Sequence, residues 1–216
     1  MNLRLQEIRK KLYLLRDGAS SASMRKKGLH YKINFGVPVT ALKKLAGEYT
    51  PDSELANEMW GKNSRELNIL ATLIQDPSTF IYAEKWVNDI QSVELAEQAV
   101  MNLFCKISEN QRYASEWIQS DKFYVRLSGF LLYIRLFMQN YKMNAEEEKI
   151  YFFSLFNTMN EESLILKNAA FNSLKYLGKQ SDNYLKLISE KIKESNQLNE
   201  EIKEYLIEEL FFDVEG

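Results

Sequence analysis

Cysteine and histidine are almost absent from this chain: 216 residues contain one of each, Cys105 and His30. A single cysteine cannot close an intramolecular disulfide, and it fits a reducing compartment. No pair of His or Cys ligands stands at short spacing, so the usual zinc patterns are excluded and no metal or cofactor is expected. Neither the GxxxxGK[ST] phosphate loop nor the GxGxxG dinucleotide fingerprint occurs. Glycine and proline are scarce, 8 and 3 residues, too few for a sandwich of many strands and tight turns. There is no run of about 18 apolar residues, so no membrane-spanning helix is expected. The opening segment, MNLRLQEIRKKLYLLRDG, scatters charges among its apolar positions and lacks the unbroken apolar core of a signal peptide. A cytoplasmic protein is expected.

Acidic residues are scarce at one end and abundant at the other. Residues 1–48 hold 11 Lys/Arg against 3 Asp/Glu, and the remainder holds 17 against 27, so a net charge of −2 conceals a basic N-terminal quarter. That quarter suits a polyanion, or is simply a solvated face. The tail carries Glu200, Glu201, Glu204, Glu208, Glu209, Asp213 and Glu215 and does not suit phosphate.

What the chain does have is helical period nearly throughout. Leu5, Ile8, Leu12 and Leu15 form one stripe, which the small-residue patch GASSAS interrupts. GLHYKINFGV is the longest non-helical stretch. A helix from Val39 to Tyr49 turns Leu42, Leu45 and Ala46 inward. Further helices are expected at about 53–60, 65–75, 79–90, 92–107, 109–119, 121–140, 144–159, 161–178, 181–194 and 198–211, with Pro51 and Pro77 in the breaks. Asn144 followed by Glu147 reads as a capping box. Helix 121–140 puts Phe123, Leu127, Phe130, Leu131, Ile134, Phe137 and Met138 on one broad face. Helix pairs recur roughly every 35–45 residues, the scale of HEAT-type repeats. The expected fold is all-α, a superhelical solenoid of HEAT-like repeats in a single domain over 1–216, with an acidic last helix at 198–211. A globular helical bundle is the structural alternative.

A few residues could carry chemistry. Glu97 borders the stripe formed by Val93, Ala96, Val100, Leu103, Phe104 and Ile107, while Glu94 sits away from it. Such an acid serves either an interhelix salt bridge or a ligand. Arg126 flanks the stripe of Leu127 and Phe130, where an arginine pairs with phosphate or with a neighbouring glutamate. Trp86 lies just before the acidic helix, where a tryptophan within a helix serves either core and repeat packing or a ligand. His30 and Tyr31, close to Arg25, Lys26, Lys27 and Lys32, suit a phosphate or sugar contact, as do Lys43 and Lys44; the alternative for His30 is a histidine simply exposed on a loop.

The segments FGVPVTALKKLA, ELANEMW, SRELNILATLI, WVNDIQSVELAEQ, WIQSDKFYVRLSGF and LILKNAAFNSLKYLGK, in this order over about residues 25–180, resemble the DNA alkylation repair (AlkD-like) family. The resemblance implies a curved stack of HEAT-like repeats that cradles double-stranded DNA. It also implies a glycosylase that releases purines alkylated on a ring nitrogen. A ring-alkylated purine is already a good leaving group, so a carboxylate stabilising the sugar cation and positioning water suffices, with aromatic faces beside it. The family's catalytic acid, an aspartate, falls on Glu97. Its aromatic one turn earlier falls on Val93. Its arginine falls on Leu127, with Arg126 one residue before and therefore turned by about 100°. A second aromatic falls near Asn172. Tyr124 or Trp86 is the candidate for the missing aromatic wall. Three readings follow: a glycosylase using Glu97, a non-catalytic DNA-binding protein, or a protein–protein scaffold.

Overall fold

The computed structural model describes residues 3–212. It falls into two compact units, Met1–Ser108 and Glu109–Gly216. The first contains α1 (Leu3–Leu14), α2 (Gly18–Lys26), α3 (Val39–Ala46), α4 (Ser53–Met59), α5 (Arg65–Ile74), α6 (Ala83–Asn88) and α7 (Val93–Asn102), with 3-10 turns at Pro77–Thr79 and Phe104–Lys106. The second contains α8 (Asn110–Trp117), α9 (Phe123–Met138), α10 (Ala145–Met159), α11 (Leu164–Gly178), α12 (Asp182–Glu194) and α13 (Glu200–Phe212). No strand occurs among the described residues; one isolated bridge joins Ile33 and Ser64. Asp213 and Glu215 of the acidic tail lie outside the described residues.

Short polar side chains set the helix starts. The carboxylate or hydroxyl of Asp17, Asp52, Ser92, Ser163 and Ser181 accepts a first-turn N–H in α2, α4, α7, α11 and α12, satisfying donors that have no partner inside the helix. Asn144 and Glu147 form the expected capping box at α10.

Four expectations about the elements need correction. GASSAS does not merely interrupt: it is the body of α2, because Asp17 accepts from Ala19 and Ser20 and starts a new helix there. The helix expected over 79–90 is a 3-10 turn followed by the six-residue α6, since Phe80 turns inward to meet Trp86 edge-on at 4.8 Å. In α9 the buried set includes Val125, Gly129, Leu132, Tyr133 and Leu136, while Met138 is exposed. This helix packs against both α8 and α11, so one stripe is too narrow a description of its buried surface. Gly129 marks the α8 crossing: a Cβ there would lie 2.6 Å from the Ile118 nitrogen. Leu15 also differs from expectation, being exposed just beyond the end of α1.

In the first unit α4 packs on α5, and α3, α5 and α7 follow one another side by side. Its core joins Leu5, Ile8 and Leu12 of α1 to Leu42, Leu55, Met59, Leu70 and Leu103. In the second unit α9 and α11 are the central pair, covered by α8, α10, α12 and α13. Tyr133, Phe137 and Tyr151 meet ring to ring there, and the Tyr151 hydroxyl, fully buried, bonds to Ser173 Oγ at 2.8 Å.

Candidate nucleic-acid interface

The loop over 28–37 is non-helical yet tightly held. Its backbone turns at Gly36, whose φ of +73° and approach to the Asp17 carbonyl leave no room for a side chain. The amides of Phe35, Gly36 and Val37 all donate to the carboxylate of Glu66, at 3.1, 3.0 and 3.3 Å. Glu66 is 0% exposed and sits in the first turn of α5. Beside it Arg65, 2% exposed, donates through Nη1 to the Val37 carbonyl (2.8 Å) and to Glu66 (3.0 Å). Nε and Nη2 of Arg65 make a two-pronged pair with Glu94 at 2.7 and 2.6 Å. Burial opposes the charge on Arg65, but the two glutamates outweigh it and raise its pKa, in keeping with the preference of a planar guanidinium for carboxylates. Loop, α5 and the start of α7 are thereby locked together. A fourth tie is the Tyr31 hydroxyl, 2.9 Å from Ser92 Oγ, which itself caps α7.

This network is what the sequence reading missed. Glu94 does not merely sit away from the apolar stripe; it is the counter-ion of a buried arginine. The available signal was an Arg–Glu pair opening a helix, RELNILATLI, whose other residues are nearly all apolar. An acid in a first helical turn is so ordinary, however, that it points to nothing by itself.

The loop presents cations outward. Arg25, Lys26 and Lys27 end α2, followed by His30 and Lys32, and all five are exposed. Arg25, Lys26, Lys27, Lys32, Lys43 and Lys44 form no ion pair with any described residue. Some other cations of the chain are paired, for example Lys11 with Glu7 and Glu48. Lys44, with Lys11, Leu14 and Leu15, lines an open groove of about 390 Å³ between α1 and α3. Tyr31 is not an exposed contact. Its ring is 8% exposed, and its work is the bond to Ser92.

Of the candidate catalytic residues, Glu97 lies exposed on α7 one turn after Val93. Its carboxylate has no hydrogen-bond or ion-pair partner among the described residues. Neighbouring protein desolvates it, and the charge of Glu94 adds to this, so its pKa is raised above the ordinary glutamate value. Trp86, 1% exposed, stacks on Trp60 with centroids 4.1 Å apart and planes 2° from parallel. Its faces are used by the core, so it offers no aromatic wall. The Trp60 indole N–H is taken by Asp89 at 3.0 Å. Arg126 and Tyr124 belong to the second unit. Arg126 pairs with Glu161 and donates from Nε to the Ser120 carbonyl at 2.7 Å, so the glutamate alternative raised from sequence is the one the fold adopts. Tyr124 packs edge-on against Phe123 at 5.0 Å. Leu127, where the family's arginine is expected, is buried. Among the described residues no cluster of three or more His, Cys, Asp or Glu could hold a metal, and no helix is long and apolar enough to cross a membrane.

Paired helices packed side by side, with no strand among the described residues, make this an all-α protein of HEAT-like repeat fold. A solved structure described as "a new family of proteins related to the HEAT-like repeat DNA glycosylases with affinity for branched DNA structures" superposes with a TM-score of 0.75, covering 97% of this chain and 93% of that one at 18% identity. The chain belongs to the DNA alkylation repair enzyme family, whose model matches residues 8–186. No curated protein matches it.

Proposed function

We propose that this chain binds DNA through the outward cations of α2, the 28–37 loop and α3, and that it favours branched over linear duplex. The observation that carries the reading is the set of six unneutralised Lys and Arg side chains within twenty residues of sequence. Each of them exchanges condensed counterions for a phosphate contact. The stiff loop supports it further, since its hydrogen bonds are made before DNA arrives and ordering it costs nothing on binding. The preference for branches extends to this chain the affinity named for the solved neighbour.

A second reading is excision of ring-nitrogen-alkylated purines from duplex DNA by Glu97. The unpartnered Glu97 carboxylate favours it, because an anion free of internal partners is available to a developing sugar cation. Against it stand Val93 and Leu127 at the positions of an aromatic and an arginine, the burial of Trp86, and the engagement of Arg126 by Glu161.

Two assays separate the readings. Binding of a four-way junction and of a linear duplex is measured for wild type and for Lys26→Glu/Lys27→Glu; the first reading requires the variant to lose affinity for both. Base release is measured from a duplex carrying methylated purines, for wild type and Glu97→Gln. Release that vanishes in the variant establishes the enzyme, and no release from wild type leaves the binding reading alone.

A further inference from the structure

The second unit holds a cleft of about 350 Å³ that the cations of α2 and α3 do not explain. One wall is the exposed face of α10, where Phe153 and Asn157 stand one turn apart. Phe153 is 61% exposed, and no other ring packs on it among the described residues. The facing wall is the segment after α8, with Gln119 and Asp121. Arg126 closes the cleft together with Glu161.

The polar groups here are only half used. Asn157 spends its Oδ1 on the Gln197 amide at 2.6 Å, leaving its Nδ2 donors without a partner among the described residues. Gln119 spends Nε2 on the Ser115 carbonyl at 2.8 Å, leaving Oε1 to accept. Asp121 is exposed and has neither hydrogen bond nor ion pair among the described residues. The cleft therefore offers an open aromatic face, free amide donors, and free acceptors that include a carboxylate.

We infer that this cleft takes an unpaired nucleobase of the bound DNA, guanine before the others. This rests on the DNA-binding reading and adds a base-recognition element to it. An open aromatic face is a stacking platform for any base. The edge contacts choose among bases. Guanine alone presents adjacent N1–H and N2–H donors, which a carboxylate accepts as a pair, beside an O6 acceptor suited to an amide donor. The role of Asp121 is to accept that donor pair, and that of Asn157 is to donate to O6. Arg126 is a positioning residue: held by Glu161 and the Ser120 carbonyl, it fixes the segment that carries Asp121 against α10. Branched and damaged DNA supply such bases, because pairing fails at the branch point or lesion.

The test uses three fluorescent duplexes: fully paired, with one unpaired guanine, and with one unpaired thymine. Wild type, Phe153→Ala and Asp121→Asn are titrated against each. Both substitutions lie on the surface, and thermal melts of the variants verify that they fold. Wild type is expected to bind the guanine bulge about tenfold tighter than the thymine bulge. Asp121→Asn brings that ratio toward one, and Phe153→Ala weakens both bulges toward the paired duplex. Affinity for the paired duplex stays unchanged in both variants. Equal affinity of wild type for the two bulges, or a guanine preference that survives Asp121→Asn, overturns the inference while leaving the DNA-binding reading in place. Absence of binding to all three duplexes is instead the failure of that reading.

Discussion

Replacing Arg65 by methionine isolates the buried network from everything else in the molecule. The substitution keeps most of the side-chain volume and removes five donors. Glu66 stays 0% exposed, with three loop amides but no countercharge, and the Val37 carbonyl and Glu94 lose their partners. Removing one member of a buried ion pair costs about 3–5 kcal/mol. The three amides that still solvate Glu66 favour the low end, so a loss of about 3 kcal/mol is expected. Glu94→Gln should cost less, about 1–2 kcal/mol, because Glu94 is partly exposed and glutamine retains one acceptor for the guanidinium. The triple change Arg65→Met/Glu66→Gln/Glu94→Gln should recover part of the loss, since neutralising the stranded acids removes the uncompensated charge. Urea unfolding gives the global values, and hydrogen exchange at the amides of 35–37 shows whether the loop loosens. A loss below about 1 kcal/mol for Arg65→Met, with exchange at those amides unaltered, would refute the claim that this network fixes the loop.

Three further outcomes follow from the structure. Glu97 has a raised pKa, so its ionised form destabilises the folded state at neutral pH; the penalty fades as pH falls through the raised value toward the ordinary glutamate range. Glu97→Gln should therefore be slightly stabilising at pH 7 and neutral at pH 4, as thermal melts at the two pH values will show. Gly129→Ala forces a Cβ against the Ile118 backbone at 2.6 Å, and should cost about 1–3 kcal/mol in urea unfolding. Tyr31→Phe removes one bond to Ser92 while leaving a buried ring; it should cost about 1 kcal/mol of stability and leave the salt dependence of DNA binding unaltered.

The helical fold was legible because its signals are local. Asn144 with Glu147, the stripe of Leu5, Ile8 and Leu12, and the breaks at Pro51 and Pro77 each depend on neighbours within two turns. Where partners are distant in sequence the reading failed. GASSAS lacks an apolar stripe; its Asp17 cap is local, but the docking of Ser21 on the Asn34 carbonyl, 13 residues on, is not visible in sequence. For Trp86 both a core position and an aromatic wall are open from sequence, because nothing local reveals Trp60 stacked on it. Arg65 and Glu94 are 29 residues apart, and helical period alone cannot pair them. The resemblance singles out Glu97, which the fold leaves exposed on α7, yet Arg126 can be assigned to Glu161 only in three dimensions, 35 residues on. The cations were the opposite case: exposure and lack of acidic neighbours follow from a stretch with few acids in it.

The most direct test of the central claim is the salt dependence of binding to a four-way junction, with a linear duplex as reference. Affinity is measured across a range of salt concentrations for wild type and Lys26→Glu/Lys27→Glu. Wild type should show log affinity falling linearly with log salt, with a slope reduced by about 2 in the variant, since each phosphate contact contributes about 0.9. The junction should stay tighter than the duplex throughout. Binding that ignores salt, or a slope identical in wild type and variant, would contradict the account.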